Sequence, residues 1–359
     1  MYNILVAIPD PNKTPQKDYY LINLEKSLIE KNIKLIYLHK SYKIIPISRN
    51  LIASKARLIH FHWIKNFTNF SLHKFKMIES SLKFFLDLVL VKYILRRKVL
   101  WTVHNILSHE LIYPKFEILI RKLFVQFVDH FLVHCESAKK ILVKEYGIRK
   151  KRISVIPHGN YINNYHNQIS KKEARRLLDL DNKDFIFLYF GRIRPHKDIE
   201  LLVQAFKQLK HFNRIKLMVI GNPIKTYKER ITKLLKNVPN ILYKLEFIPD
   251  NEIQVYMNAA DVVTLPYKRI LTSGEALLAM TFKKPIIAPL LGCLNDILDN
   301  DNAFLYKAGD MNDLKKKLEE AIINKYKLSK MAINSLNKAK KYDWDSIGKK
   351  VKKVYRLLI

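Results

Sequence analysis

Four basic side chains follow an apolar run in the stretch "FLYFGRIRPHKDIELLVQAF", residues 187–206. They are Arg192, Arg194, His196 and Lys197. Gly191 precedes them and removes a side chain where the loop must pass close to a ligand. A helical pattern begins near Asp198, and a helix N-terminus adds partial positive charge. A guanidinium and an ammonium group here match the oxygens of a diphosphate; solvated loop charge is the alternative.

A second group of polar side chains stands in the first half of the chain. His60 and His62 share one face of the apolar run 57–62, and His104 directly follows the run 98–103. We expect the ends of these strands to present polar groups to a substrate. The candidates for binding an acceptor are His62, Asn105, His109 and Glu110. Two histidines alone make a weak metal site, so no metal is expected.

Short apolar runs that predict strands alternate with longer helical patterns. The predicted strands are 3–8, 33–38, 57–62, 98–103, 129–134, 152–156, 184–190, 215–220, 240–243, 261–265, 285–288 and 302–305. The predicted helices are 18–30, 71–96, 111–126, 136–146, 198–210, 226–236, 250–259, 274–282, 310–323 and the amphipathic tail "YDWDSIGKKVKKVYRLLI". Such alternation predicts an α/β fold with parallel sheets that are covered on both faces.

A polar, Asn-rich stretch, "PHGNYINNYHNQIS" at 157–170, separates the two series of strands and reads as a linker. We therefore predict a first doubly wound domain over 1–163 and a second over 164–340. A C-terminal helix, 341–359, would cross back to the first domain. In such sheets ligands bind beyond the carboxyl ends of the strands, and a cleft between two domains is the expected substrate site.

The net charge of +33 predicts an anionic partner, which is nucleic acid, an acidic membrane surface or a phosphorylated substrate. Neither a G-x-G-x-x-G nor a P-loop pattern occurs among the 8 glycines. No secretory leader and no bilayer-spanning segment is recognisable, so we expect a cytoplasmic protein. The segment 73–98 is apolar with basic ends, which suits either an acidic membrane surface or packing on a sheet.

The stretch "FGRIRPHKDIELLVQAF" resembles a donor-binding segment of retaining glycosyltransferases with the GT-B fold, of the family 4 or group 1 type. "SVIPHGNY", "LMVIGN", "DNEIQVYMNAADVVTLPY" and the C-terminal helix resemble further segments of that family in the same order. The resemblance implies that Arg192 and Lys197 hold the diphosphate of a nucleotide sugar, and that His104 contacts the donor sugar. These three residues are the predicted catalytic set, with no metal and no other cofactor.

One departure from the family pattern concerns two carboxylates. The family shows two Glu separated by seven residues, but Ile270 and Leu278 stand at those positions here. Instead, "TSGE" at 272–275 opens a helix, which suits phosphate binding; the alternative is that Ser273 and Glu275 only cap that helix. Glu275 is a candidate replacement carboxylate. The predicted donor-binding residues are Gly191, Asn222, Ile248, Thr272, Ser273, Gly274 and Glu275.

The resemblance thus implies transfer of a hexose from a UDP- or GDP-linked donor to a glycan acceptor, with retention of configuration. We expect a lipid-linked acceptor of bacterial surface polysaccharide assembly and peripheral association with the inner face of the plasma membrane. A sugar-nucleotide epimerase of the same fold is one alternative. A basic nucleic-acid-binding protein is another, although no basic module interleaved with aromatic residues is visible, so no nucleic acid partner is expected.

Overall fold

The structure is a computed structural model that describes residues 4–9, 18–38, 45–68, 74–107 and 113–359. The chain divides into two compact units. Unit 1 consists of Met1–Gly159 and Asp343–Ile359, and unit 2 consists of Asn160–Tyr342. Each unit has a parallel sheet of its own in its described part.

The unit 1 sheet is built from six strands of the described residues. These strands are β1 (Ile4–Pro9), β2 (Ile33–Leu38), β3 (Leu58–Phe61), β4 (Lys98–Thr102), β5 (His130–Val133) and β6 (Ile153–Val155). They pair in parallel in the order β2-β1-β3-β4-β5-β6. All four residues of β3 and of β5 are buried, as expected of strands that helices cover on both faces.

The unit 2 sheet has the same architecture. Its described strands are β7 (Phe185–Phe190), β8 (Ile215–Ile220), β9 (Ile241–Lys244), β10 (Val262–Thr264), β11 (Ile286–Pro289) and β12 (Ala303–Tyr306). Their order is β12-β11-β10-β7-β8-β9, and every pair is parallel. The chain starts in the middle at β7 and builds outward in both directions. The strand order therefore reverses beside β7, where ligands of doubly wound sheets bind.

Helices of the described residues connect these strands. They are α1 (Tyr19–Ile29), α2 (Pro46–Ser54), α3 (Lys65–Thr68), α4 (Lys74–Val89), α5 (Pro114–Phe127), α6 (Glu136–Tyr146), α7 (Lys171–Leu177), α8 (Ile199–Lys207), α9 (Lys225–Leu235), α10 (Ile253–Ala259), α11 (Gly274–Thr281), α12 (Leu294–Ile297), α13 (Met311–Ile323), α14 (Leu328–Lys340) and α15 (Trp344–Leu358). A π-helical turn, Leu90–Ile94, extends α4, and a 3₁₀ turn, Pro195–Lys197, precedes α8.

The C-terminal helix α15 belongs to unit 1, where it packs on α1. Asp343 caps α15 by accepting a hydrogen bond of 2.8 Å from the Ser346 amide. The Ser27 hydroxyl of α1 donates to the carbonyl oxygen of Trp344 at 2.6 Å. Gly348 permits this close approach, because a methyl group there would overlap the Ser27 side chain.

Replacing Gly348 by alanine is therefore expected to destabilise unit 1. The added methyl group either displaces α15 or forces the Ser27 hydroxyl to rotate and give up its hydrogen bond to Trp344, and overpacking of this kind typically costs about 1–3 kcal/mol. The measurement is urea unfolding followed by tryptophan fluorescence, with Lys350→Ala as the control on the exposed side of the same helix. Equal midpoints for wild type and Gly348→Ala would contradict the prediction.

Candidate functional site

Two glycines lie side by side at the carboxyl edge of the unit 2 sheet. Gly191 follows β7 with φ of 137°, and Gly221 follows the neighbouring β8 with φ of 142°. A methyl group at Gly221 would overlap the Gly191 carbonyl oxygen, and one at Gly191 would lie 2.9 Å from Cγ of Glu275. Since side chains rarely tolerate such φ values, both positions require glycine. They leave bare backbone at the edge where this sheet type binds ligands.

Lys197 lies at the same edge, at the end of the 3₁₀ turn that follows β7. Its side chain is buried, and its Nζ donates to Oε1 of Glu275 at 2.8 Å. The same Nζ lies 4.0 Å from the centre of the Tyr267 ring, which is a cation–π distance. Burial lowers the pKa of Lys197, and the Glu275 carboxylate partly opposes that shift. Two partners thus hold an ammonium group in a fixed position.

Arg192 differs from Lys197 because its side chain is exposed. Its backbone is fixed, since the Tyr189 hydroxyl donates to the Arg192 carbonyl oxygen at 2.9 Å. Within the described ranges, the Arg192 guanidinium forms no ion pair. The structure therefore brings together one buried cation and one exposed cation in the loop after β7. The exposed fork is available for an anion from solution.

The segment 272–275 opens α11, and Ser273 caps this helix. The Ser273 Oγ accepts from the Ala276 amide at 3.1 Å and lies 3.1 Å from the Tyr267 hydroxyl. It also lies within 3.4 Å of Oε2 of Glu275. Thr272 is half-buried beside it. The Ser273 hydroxyl is thus engaged within unit 2, so phosphate binding here would use the first backbone amides of α11, as at other helix N-termini.

Glu275 provides a carboxylate close in sequence to positions 270 and 278, where the family pattern has glutamates and this chain has none. Leu278 stands one turn further along α11 and is buried in the core, and Ile270 is half-buried before the helix. Glu275 instead lies against Gly191 and pairs with Lys197. The carboxylate of this site is therefore an ion-pair partner of Lys197.

The remaining predicted donor residues have different environments. Gly274 lies close to Tyr161, because a methyl group there would stand 3.0 Å from the tyrosine hydroxyl. Asn222 is exposed directly after Gly221, and its carbonyl oxygen accepts from the Ile193 amide at 3.0 Å. Ile248 is buried in the core of unit 2. Of these three, Asn222 alone presents an exposed polar side chain at the β8 end of the edge.

In unit 1, histidines form a hydrogen-bonded row along the carboxyl edge of the sheet. His62 follows β3, His104 lies just beyond β4, and His134 follows β5. His62 Nδ1 lies 3.1 Å from His104 Nε2, and His104 Nδ1 lies 3.3 Å from His134 Nε2. His134 Nδ1 lies 2.9 Å from the carbonyl oxygen of Ile156, directly after β6. We call these three residues the histidine row.

His60 and His158 stand beside the histidine row. His60 Nδ1 lies 2.8 Å from the Tyr355 hydroxyl of α15, and its Nε2 lies 2.7 Å from Thr102 Oγ1. His158 Nδ1 lies 2.8 Å from the Gly159 carbonyl oxygen. Both side chains are therefore engaged within unit 1.

Burial keeps all five histidines neutral. Loss of hydration lowers the pKa of His60 to about 3, of His134 to about 3 and of His158 to about 4. The same cause, reinforced by the neighbouring rings, holds the pKa of His62 and of His104 well below the usual value. Both ring nitrogens of His104 face other histidines, so its side chain acts within the row.

The other predicted acceptor residues lie in the loop after β4. Asn105 is half-buried, and its carbonyl oxygen accepts from Nη1 of Arg121 at 3.1 Å. Arg121 in turn forms a buried ion pair of 2.7 Å with Glu117 one turn away on α5. His109 and Glu110 lie outside the described residues.

Three Asp-x-Asp pairs, at 179–181, 299–301 and 343–345, have a spacing that metal-binding carboxylates also use, but here they stabilise turns and a helix end. Asp299 accepts from the Asp301 amide at 3.0 Å and pairs with Lys338, and Asp181 accepts from the Lys183 amide at 2.8 Å. Asp343 is the α15 cap. In the part of the chain that the structure describes, no group of three or more His, Cys, Asp or Glu side chains is arranged so that it could hold a metal ion.

Two residues of these sites were missed by the sequence analysis. Tyr267 supports Lys197 from three residues beyond β10, and His134 continues the histidine row after β5. His134 follows the apolar run "FLV" directly, and Tyr267 comes shortly after a strand in "VVTLPY". A polar or aromatic residue just after each strand was therefore the signal that could have identified them.

Comparison with known families covers most of the chain. Residues 37–160 match the family described as Glycosyltransferase Family 4, and residues 170–341 match Glycosyl transferases group 1. An uncharacterized glycosyltransferase of Methanocaldococcus jannaschii is 27% identical over 57% of this chain and 59% of its own length. A GDP-mannose:glycolipid 4-beta-D-mannosyltransferase of Xanthomonas campestris is 29% identical over 28% of this chain and 29% of its length. The chain thus spans less than two thirds of either relative.

Solved structures resemble the whole chain. Sucrose-phosphate synthase of Thermosynechococcus elongatus has a TM-score of 0.77 at 16% identity, over 99% of each chain. HepE of Anabaena, in complex with UDP-glucose, has a TM-score of 0.77 at 18% identity, over 99% of this chain and 100% of its own. These likenesses confirm the predicted GT-B fold of two parallel-sheet domains.

Proposed function

We propose that this chain, which carries a glycosyltransferase family 4 domain followed by a glycosyl transferases group 1 domain, moves a hexose from a nucleoside-diphosphate sugar to a hydroxyl group of a glycan. The observation that carries the proposal is the pair of cations after β7, where Glu275 and Tyr267 hold Lys197 and Arg192 stays exposed. A diphosphate matches this pair in charge and geometry.

The similar proteins support a nucleotide-sugar donor with either uracil or guanine as its base. HepE has been solved with UDP-glucose, and the Xanthomonas relative is named for GDP-mannose. That relative is also named for a glycolipid, which favours a lipid-linked acceptor here. We place the reaction in bacterial surface polysaccharide assembly, at the inner face of the plasma membrane.

In this reaction the bond from the anomeric carbon to the diphosphate oxygen breaks, and a bond to the acceptor oxygen forms on the same face. Because the new bond forms on the face that the diphosphate leaves, configuration is retained. The acceptor proton passes to the departing diphosphate. The growing negative charge on that diphosphate needs stabilisation in the transition state. Lys197 and Arg192 supply it, and we expect no metal requirement, which activity in the presence of EDTA will test.

A thermal-shift screen tests the donor site. We expect UDP, GDP or one of their sugar conjugates to raise the melting temperature of the wild type, because a ligand that binds the native state stabilises it by about 2.7 kcal/mol at a hundredfold excess over Kd. Arg192→Ala should lose this shift, because Arg192 has an exposed guanidinium at the edge.

Arg176→Ala is the matched control, since Arg176 is also an exposed arginine of unit 2 but pairs with Glu173 on α7. It should retain the full shift. No shift with any nucleotide or nucleotide sugar, combined with a shift by DNA or RNA, would overturn the transferase proposal and favour nucleic-acid binding.

The expected membrane association has a candidate surface on α4 and its π-helical extension. Large apolar side chains recur there with helical spacing and are exposed, from Val89 at 39% to Phe75 at 88%. We call them the α4 face; they are Phe75, Ile78, Leu82, Leu86, Val89, Tyr93 and Ile94. The opposite face of the helix packs into unit 1 through Met77, Ser81, Phe84, Leu88 and Val91.

Basic side chains surround the α4 face. Lys74, Lys76, Lys83, Arg96 and Lys98 are exposed along the same segment. An apolar stripe among cations is the pattern of a helix that lies in the interface of an acidic membrane. No helix in the described ranges is long and apolar enough to cross a bilayer. We therefore propose that this face docks on anionic lipid. Residue 73, the first residue of the segment predicted to contact a membrane, lies outside the described residues.

Binding to vesicles tests the docking face. The wild type should co-sediment with phosphatidylcholine vesicles that contain phosphatidylglycerol and should bind less to phosphatidylcholine alone. Leu82→Glu with Leu86→Glu should weaken binding at least tenfold, because burying one leucine is worth about 1.5–3 kcal/mol. Ile333→Glu, at an exposed apolar residue of α14 in unit 2, is the control. Equal binding by the double variant and the control would refute this surface.

A further inference from the structure

Four neighbouring strands each contribute one member to a continuous hydrogen-bonded chain in unit 1. Strands β3, β4 and β5 end near His62, His104 and His134, and β6 is followed by the Ile156 carbonyl. The four strands are consecutive in the sheet. The three links measure 3.1, 3.3 and 2.9 Å. These hydrogen bonds all run in one donor-to-acceptor direction, which follows from the last acceptor, the Ile156 carbonyl oxygen.

A carbonyl oxygen accepts hydrogen bonds and donates none. His134 must therefore carry its proton on Nδ1 to donate to Ile156, and a neutral ring then leaves Nε2 as an acceptor. His104 must donate to that Nε2 from its own Nδ1, which makes its Nε2 an acceptor in turn. By the same step His62 donates from Nδ1 to His104. All three rings are hence Nδ1–H tautomers.

The direction leaves one lone pair at the end of the row. His62 Nε2 is unprotonated, buried, and receives no hydrogen bond from the described residues. The nearest ring, His60, cannot supply one, because both its nitrogens are engaged with Tyr355 and Thr102. Leaving a buried acceptor unpaired costs about 1–3 kcal/mol. Native structures rarely keep such groups except where a bound molecule or a function uses them.

We propose that His62 Nε2 is a binding point for one hydroxyl group of a sugar substrate, and that His104 and His134 are positioning residues that fix this nitrogen as an acceptor. The identity of the ligand as a sugar rests on the function proposed above. Nε2 has no solvent contact, so the hydroxyl reaches it when a neighbouring ring moves. We expect that ring to be Trp63, which follows His62 in the chain, is half-buried and stacks 5.0 Å from His104.

This arrangement selects a hydroxyl over other groups. A neutral imidazole nitrogen accepts from O–H and has no proton to offer to a phosphate or carboxylate oxygen. The low pKa values of the row keep it in this state at neutral pH. A substrate analogue that lacks the hydroxyl leaves the lone pair unpaired and should bind more weakly.

The direction of the row is tested without substrate. Nitrogen-15 NMR of histidine-labelled full-length protein reports which ring nitrogen carries the proton. We expect His62, His104 and His134 all to carry it on Nδ1. His134→Leu should shift His104 and His62 to tautomer mixtures, while His130→Leu on the same strand should not, because His130 is bonded to Ser154 outside the row. A proton on Nε2 of His62 in the wild type overturns the proposal, whether or not the variants fold.

The ligand is tested by adding UDP-glucose, GDP-mannose and octyl glucoside in turn and following the His62 Nε2 resonance. A shift with one probe, and no shift at His60, supports the hydroxyl contact. Two outcomes overturn the sugar contact. In the first, the His62 Nε2 resonance shows a hydrogen bond to exchanging water before any probe is added, and no probe shifts it; the donor is then an enclosed water. In the second, the resonance shows a free lone pair, and no probe shifts it.

Activity gives a second readout. His62→Phe should lower kcat/KM roughly tenfold, while the nucleotide thermal shift stays unchanged. Failure of the proposed function is distinguishable, because then no nucleotide stabilises the protein whatever the tautomer pattern. Unchanged kcat/KM in His62→Phe, with the nucleotide shift intact, would also overturn the contact.

Discussion

Replacing Lys197 by alanine is expected to lower kcat/KM by roughly 10²- to 10³-fold, the usual cost of removing one group that stabilises developing charge. Lys197 is buried and fixed between Glu275 and the Tyr267 ring. A preorganised cation of this kind needs no rearrangement when the diphosphate departs, so the loss should fall mainly on kcat. Steady-state kinetics with the donor identified by thermal shift measures it.

The pairing with Glu275 adds a second effect that the experiment must separate. Without the ammonium group, the Glu275 carboxylate would face the donor diphosphate as an unpaired like charge. Lys197→Ala with Glu275→Ala removes that repulsion and should recover part of the donor affinity but little of kcat. Lys207→Ala, an exposed lysine of α8, is the control. If Lys197→Ala retains wild-type kcat, the catalytic role of this residue is wrong.

The strands of both sheets were predictable from the sequence because they are short, continuous apolar runs. All twelve predicted runs overlap β1–β12, since strands buried on both faces need no alternation to be recognised. The longer helices were predictable from the helical spacing of their apolar residues. The first residues of two predicted helices, 71–73 and 111–112, lie outside the described residues.

Two of the helices that the sequence analysis missed, α7 and α14, lack an apolar stripe. In α14 the buried face consists of Met331, Ser335 and Ala339, so small and polar residues occupy the core positions. In α7 the buried residues are Ala174 and Arg175, and the arginine is satisfied by hydrogen bonds to Ala259 and Asp261. Hydrophobic periodicity cannot identify a helix whose core positions are polar.

The candidate sites were partly predictable. Strand order places residues that follow different strands at one edge, and this reasoning located Arg192, Lys197, His62 and His104. It could not show that Lys197 pairs with Glu275 78 positions away, because that contact depends on how α11 packs. Nor could it give the direction of the histidine row, which depends on the Ile156 carbonyl and hence on the backbone of β6.

Unit 1 is expected to lose stability steeply as the pH falls from 7 to 5. Five buried histidines of this unit have pKa values well below their usual range, namely His60, His62, His104, His134 and His158. In the unfolded chain the same side chains titrate near 6.5. Between these values the unfolded state binds more protons than the folded state, so acid favours unfolding. The effect fades as the pH rises about one unit above 6.5, where the unfolded histidines are also neutral.

The size of the effect follows from one pKa unit being worth about 1.4 kcal/mol. At pH 5 each histidine costs about 2 kcal/mol, so five cost roughly 10 kcal/mol, which is comparable with the whole stability of a typical domain. Asp87 acts in the opposite direction, because burial raises the pKa of its carboxyl, but it is one group against five. Unit 1 should therefore unfold near pH 5.

Tryptophan fluorescence measures this transition selectively, because Trp63, Trp101 and Trp344 all belong to unit 1 and the chain has 3 tryptophans. Urea unfolding between pH 7.5 and pH 5 should show a free energy of unfolding that falls with pH at several times the single-site slope of about 1.4 kcal/mol per pH unit. His158→Gln removes one titrating group, so it should reduce the slope by about one such unit, whereas His211→Gln, exposed in unit 2, should not. A flat free energy across this range would mean that the row is solvated and able to take up protons in the folded state, and the neutral tautomers that give it direction would no longer follow.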